Sequence, residues 1–302
     1  MKPIEILTQN LPAERLIFDA PMSRYTTFRV GGNADALFLP KDENELALAL
    51  RLSRENGIPA TVIGNGSNLL VKDGGIEGLV IRLGDEFSGI TVDGTRMTAK
   101  AGDSLTRLAM KAYEAGLTGL EFASGIPGSV GGGMAMNAGA YGGELKTVTV
   151  SARLLDPKTG IVKEYPAREL NMGYRTTRAL TEGLVVTEAV FALTEGNKDE
   201  IKALMDDLGK RRRDKQPLTY PSAGSTFKRP EGYFAGALIE GADLKGVSVG
   251  GAQVSEKHAG FIINTGSATA NDILDLIELV KRKVFEKSGV TLEPEVRILG
   301  RD

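Results

Sequence analysis

Residues 125–144 read GIPGSVGGGMAMNAGAYGGE. Little in this stretch can build a conventional core. Gly125, Gly128, Gly131, Gly132 and Gly133 allow left-handed or extended backbone and close approach to another group. Pro127 fixes one dihedral and stiffens the loop. A nest of backbone N–H groups without side chains suits an anion such as a pyrophosphate. A turn-rich surface loop has the same composition, so the reading turns on a second loop upstream.

That loop is Gly64-Asn65-Gly66-Ser67-Asn68, between the apolar runs Thr61-Val62-Ile63 and Leu69-Leu70-Val71. The pattern predicts a strand, a tight polar turn and another strand. It is not the dinucleotide fingerprint, which needs a third glycine where Leu69 stands and then a long helix. No GxxxxGK[ST] loop occurs either. Two phosphate-friendly loops are therefore present, and neither is of the Rossmann or NTPase kind.

Composition narrows the chemistry. The chain has 302 residues, enough for two or three domains with proper cores. With 37 basic and 39 acidic residues the formal charge is −2, so no global field favours nucleic acid or an anionic membrane. There is no cysteine, which removes disulfides, iron–sulfur clusters and thiol nucleophiles and fits a reducing cytoplasm. His258 is the sole histidine, so a multi-His/Cys metal site is excluded and no metal is expected. Redox chemistry would need an organic cofactor. A flavin would be noncovalent, since His258 is the sole residue among the usual attachment types. The opening MKPIEILTQNLPAERL lacks the continuous apolar run of a signal peptide, and no run approaches membrane-spanning length.

Periodicity divides the chain into an N-terminal segment (1–20), regions at 21–88 and 89–195, and a third region at 196–302. Helices are expected at 42–56, with Leu46, Ala49, Leu50 and Leu52 inward, and at 104–115, with Leu105, Leu108, Ala109 and Ala112 inward. Residues 90–101 predict a hairpin turning at Asp93-Gly94. Strands are expected at 60–63, 78–83, 147–155, 161–165 and 184–193. Asn197 and Glu200 predict a capped start for a connecting helix over 197–213, with Ile201, Leu204, Met205 and Leu208 as its apolar face. A last helix is expected at 271–287. The pattern is α+β in compact units.

Five ordered motifs carry a family resemblance: GNGSNLL at 64–70, the glycine stretch at 125–144, Gly173-Tyr174-Arg175, Ala223-Gly224-Ser225-Thr226-Phe227-Lys228, and Leu292-Glu293-Pro294-Glu295-Val296-Arg297. From about Tyr25 onward the chain resembles the UDP-N-acetylenolpyruvoylglucosamine reductase (MurB) family, in its type II branch. The resemblance implies a flavin-binding domain of the vanillyl-alcohol-oxidase (PCMH) type, formed by 21–88 and 89–195 as two subdomains. A substrate-binding domain would follow at 196–302. It implies noncovalent FAD, NADPH as co-substrate, and reduction of UDP-N-acetylglucosamine enolpyruvate to UDP-N-acetylmuramate in the cytoplasm. FAD would contact Gly64, Asn65, Gly66, Ser67, Asn68 and Leu69. From the second stretch it would contact Gly125, Gly128, Ser129, Gly131, Gly132, Asn137, Ala138, Gly139 and Tyr141.

Each implied site residue also has a plainer reading. Ser225 lies among small residues that leave its hydroxyl reachable, and a turn serine would look the same. The resemblance makes it the proton donor to the substrate carbanion, which requires nearby cations such as Lys215 and Lys228. Arg175 can bind a carboxylate through two parallel hydrogen bonds, or simply lie on the surface. The family motif continues with serine two residues later, where this chain has Thr176-Thr177. Glu295 would face the substrate carboxyl with Arg175, or pair with Arg297; Glu293 competes for the role. Arg211 and Lys215 share a helical face and would flank the substrate diphosphate, or act as cations favoured at a helix C-terminus. Tyr174, Lys228, Arg229 and His258 complete the substrate set; relatives often carry asparagine at the position of Arg229. The rival readings are another FAD oxidoreductase of the same superfamily and a non-catalytic flavin or nucleotide binder.

Overall fold

A computed structural model describes residues 6–302. The helix expected after residue 42 runs Glu43–Glu55, and Asp42 caps it by accepting from the N–H of Glu45 at 3.0 Å. Its leucine stripe is buried, as the 3.6-residue period requires. A four-stranded sheet has the order Leu16–Pro21, Asn33–Phe38, Ile76–Arg82, Ala60–Ile63, with the last two parallel.

A second, antiparallel sheet has the order Val162–Pro166, Thr149–Leu155, Val185–Ala192, Arg96–Lys100, Ile90–Asp93. The expected hairpin forms, and Gly94 takes the left-handed φ of +54° that its turn needs. Met97 and Ala99 point inward from alternate positions and meet the helix Leu105–Glu114, whose Leu105, Leu108, Ala109 and Ala112 are buried.

The chain folds into two compact units. Among the described residues the first comprises 6–18, Ala36–Asn65 and Gly78–Arg211, and the second Asp19–Asp35, Gly66–Glu77 and Arg212–Asp302. In the second, Leu69–Val71 pairs in parallel with Arg297–Leu299, which draws the 66–77 segment to the C-terminal unit. A three-stranded sheet of Ser248–Val249, Ala252–Val254 and Ile262–Asn264 packs on the helix Ala270–Ser288. That helix opens with a capping box of Thr269 and Asp272 and closes at Gly289, φ +71°.

Three expectations need correction. The glycine stretch is not a loop throughout: Val130–Ala135 is a short helix, capped by Ser129, whose Oγ accepts from the N–H of Gly132 at 3.2 Å. None of Gly125, Gly128, Gly131, Gly132 and Gly133 takes a left-handed φ. Close packing is the reason for two of them: a Cβ on Gly131 would lie 2.7 Å from that of Ala101, and one on Gly133 would lie 2.8 Å from Leu105. The connecting helix runs to Lys215 rather than 213. Leu204 does not join its buried face; it is 46% exposed, while Ile201, Met205 and Leu208 are buried.

Candidate active site

The two glycine loops meet inside the first unit. The side-chain amide of Asn65 donates to the carbonyl of Pro127 at 3.3 Å. A Cβ on Gly64 would lie 2.2 Å from Ser129 Oγ, so only glycine lets the first loop pass this close to the capped helix start. The N–H groups of Val130 and Gly131 bond to the carbonyls of Asp103 and Ala101 at 2.7 and 2.9 Å. With Gly132 held by Ser129, residues 130–132 are not the open nest that composition suggests. In the second unit, Gly66 has φ +64° and a Cβ there would lie 2.1 Å from the carbonyl oxygen of Tyr25. Both glycines are thus required by close packing on the protein itself, on Ser129 for Gly64 and on the Tyr25 carbonyl for Gly66.

Past the short helix, Asn137 is 1% exposed at φ +44°. Its Nδ2 donates to Glu144 Oε2 at 2.9 Å and to the carbonyl of Gly173 at 3.1 Å, and its Oδ1 accepts from the N–H of Lys146 at 2.9 Å. Gly139–Ala140 pairs with Gly143–Glu144 across a turn in which Tyr141 and Gly142 both have positive φ, and Tyr141 is exposed at the tip. Ala138, half-buried, leads into this hairpin and accepts from the N–H of Leu145 at 3.0 Å.

Gly173 to Thr176 closes a tight turn, the N–H of Gly173 donating to the carbonyl of Thr176 at 2.9 Å. Arg175 lies in that turn at φ +53°, half-buried, its guanidinium 5.0 Å from the ring of exposed Tyr174. Thr177 is buried, and its hydroxyl donates to the carbonyl of Ala135 at 2.8 Å. Thr177 therefore anchors the turn to the glycine-rich segment. Beneath it a water-sized void is lined by Met134, Ala152, Leu170, Met172 and Thr177.

Ser225 is exposed, after Gly224 at φ +76° and before fully buried Thr226. Thr226 is fixed on all sides. Its N–H bonds to the carbonyl of Gly260 at 2.9 Å, its Oγ1 accepts from Ile262 at 3.0 Å, and its carbonyl accepts from Glu295 at 2.8 Å. Phe227 bridges Pro294 in antiparallel fashion. Ser225 and Glu295 thus ride on paired segments. Asn68 holds the second of these: its Nδ2 donates to the carbonyl of Glu295 at 3.1 Å, and its own carbonyl accepts from Arg297 at 3.0 Å. Ser67 and Leu69, half-buried, flank that contact. Glu293, the competitor, pairs with Lys228 at 3.0 Å on the exposed side.

Arg211 pairs with Asp207 at 2.8 Å, and Lys215 ends the same helix, exposed. The Arg229 guanidinium stacks 4.0 Å over the ring of Phe234, which is 62% exposed. His258 packs edge-on to Phe261, and its Nδ1 accepts from Gly260 at 3.1 Å. Burial depresses its pKa, helped by the nearby charges of Lys245 and Lys215. Among the described residues no group of three or more His, Cys, Asp or Glu side chains could hold a metal, and no helix is long and apolar enough to cross a membrane. Reading the sequence missed the Asn68 and Asn137 contacts with the protein backbone; nothing local in either motif marks an asparagine that reaches a distant carbonyl.

Residues 34–164 match the family described as FAD binding domain, and residues 216–299 match UDP-N-acetylenolpyruvoylglucosamine reductase, C-terminal domain. A UDP-N-acetylenolpyruvoylglucosamine reductase of Clostridioides difficile (strain 630) is 52% identical over 292 residues, covering 97% of this chain and 96% of the relative. One of Alkaliphilus oremlandii (strain OhILAs) is 48% identical over 302 residues, covering 100% and 99%. The crystal structure of the MurB reductase from Thermus caldophilus superposes with a TM-score of 0.80 at 38% identity, covering 94% of this chain and 98% of that one.

Proposed function

Because the chain belongs to the UDP-N-acetylenolpyruvoylglucosamine reductase family, it is an FAD-dependent oxidoreductase of peptidoglycan precursor synthesis, and we propose which of its residues carry the reaction. It reduces UDP-N-acetylglucosamine enolpyruvate to UDP-N-acetylmuramate with NADPH. When bound, FAD would supply the hydride chemistry that links NADPH to the enolpyruvyl double bond. Regions 21–88 and 89–195 hold the flavin and 196–302 the sugar nucleotide, a division supported by family matches at 34–164 and 216–299. The compartment is the cytoplasm, and nucleic acid is not a partner.

Gly64, Asn65 and Gly66 hold the diphosphate of FAD by main chain. Arg175 binds the substrate carboxylate through paired hydrogen bonds, and Glu295 polarises it. Hydride addition leaves negative charge on the adjacent carbon and the carboxylate, where a fixed guanidinium stabilises it most. The Ser225 hydroxyl delivers the proton to that carbon. Arg211 and Lys215 meet the substrate diphosphate. The observation that carries this reading is the pairing of the Ser225 and Glu295 segments through the Thr226 carbonyl. NADPH consumption with and without the enolpyruvyl sugar nucleotide tests it. An NADPH oxidation that ignores the sugar nucleotide would overturn the assignment of these residues to it.

A further inference from the structure

Each flavin loop carries one asparagine whose side chain reaches away, onto the backbone that presents a substrate-handling residue. From the 64–68 loop, Asn68 Nδ2 donates to the carbonyl of Glu295 itself. From the 125–144 stretch, Asn137 Nδ2 donates to the carbonyl of Gly173, two residues before Arg175. The two contacts are independent, one in each compact unit. Both are reinforced. The Asn68 carbonyl accepts from Arg297, so Glu295 is gripped from both sides. Asn137 is buried with both donations and its acceptor engaged, and its left-handed φ of +44° is one that asparagine tolerates better than most residues.

We infer that Asn68 and Asn137 are positioning residues: they tie the seating of the flavin loops to the placement of Glu295 and of the Arg175 turn. The inference rests on the reading of Arg175 and Glu295 as groups that hold the substrate carboxylate. A loop displaced by a loosely bound or absent flavin then displaces the carboxylate-binding groups with it. The two groups that must act on the same reaction are thereby set by the cofactor's own binding loops. Small displacements of such groups are costly, since a misplacement of ~1 Å changes rates by about 100-fold.

Asn68→Asp and Asn137→Asp test this, since each keeps the shape and removes the donations to the carbonyl. Asn137→Gly, which accepts the positive φ, is a second variant at the buried site. Four quantities are read on holoenzyme: FAD per chain, the rate of flavin reduction by NADPH, the rate of reoxidation by substrate, and the Kd of UDP-N-acetylmuramate from the flavin difference spectrum. The expected result is a reoxidation rate lowered at least ~10-fold more than the reduction rate, with product Kd raised by a similar factor. Equal effects on both rates, or loss of FAD alone with normal product affinity in the flavin-loaded fraction, would overturn it. Should neither Asn137 variant yield holoenzyme, Asn68→Asp, at a half-buried loop position, decides alone. Arg175→Lys and Glu295→Gln run in parallel separate the two ideas. If these leave reoxidation intact, the underlying reading falls and the inference with it. If these slow it and the asparagine variants do not, only the inference falls.

Discussion

The N–H of Glu295 donates to the carbonyl of Thr226 at 2.8 Å, which places Ser225 one residue from a fixed point shared with Glu295. Ser225→Ala is expected to leave flavin reduction by NADPH near its normal rate. Reoxidation by substrate should slow by at least ~100-fold, the lower end for a lost general acid. Stopped-flow traces at the flavin band measure both steps. Normal reoxidation would show Ser225 to be a turn serine only.

The two acidic residues of the 293–295 motif should separate sharply. Glu293 faces Lys228 on the exposed side, where an ion pair contributes at most about 1 kcal/mol. Glu293→Gln should shift kcat/KM by less than ~3-fold, and Glu295→Gln should lower kcat by at least ~10-fold. Steady-state kinetics with the enolpyruvyl substrate varied decides between them, and the reverse ranking would move the role to Glu293.

Gly66 offers a test of the 64–68 loop as a flavin-holding element. Gly66→Ala puts a methyl 2.1 Å from a backbone carbonyl at a left-handed φ, so the loop must shift. The strain is about 1–3 kcal/mol and should appear as a lower Tm and weaker FAD retention on dilution. A variant that purifies with full FAD and an unchanged Tm would show that the loop has room to spare.

Neutralising Arg211 or Lys215 should raise the apparent KM for the sugar nucleotide by about 10-fold while kcat changes little, the mark of binding lost equally in ground and transition states. If the run serves only the helix end, KM stays put and Tm falls slightly.

Acid should weaken the fold in two stages. Burial holds His258 below its ordinary 6.5, so its contribution is complete above that pH and is lost as pH falls toward the depressed folded value. Burial raises the pKa of Glu43, but hydrogen bonds from Arg153 and Thr187 outweigh it and set the net shift downward from 4.5. Its contribution is present above 4.5 and disappears below. His258→Asn should flatten the fall in Tm that begins as pH drops below 6.5 and leave the loss that sets in below 4.5. An unaltered profile would place the first stage elsewhere.

The helices at 43–55 and 105–114 and the 90–100 hairpin were legible because their signals are local: apolar period, cap and turn glycine. The two glycine loops were legible as motifs. The helix at 130–135 was not, since a run of glycines has poor helix propensity. It forms because Val130 and Met134 bury, Ser129 caps, and Ala101 accepts a side-chain-free neighbour. The contacts of Asn68 and Asn137 lay beyond reading for a different reason. Asn68 and Glu295 stand 227 residues apart, and no spacing within either motif encodes the other.

The same long-range pairing of Leu69–Val71 with Arg297–Leu299 governs when the second unit can assemble. During synthesis, Leu69–Val71 emerges early and must wait for its strand partner until residue 299 has left the ribosome. Phe28, whose carbonyl accepts from the Asn264 side chain at 3.1 Å, waits as well. A nascent chain halted after residue 211 would carry the first unit together with two segments, 19–35 and 66–77, that belong to a unit not yet made. Refolding from denaturant should be slow, because loop closure over that span precedes any reward from contacts.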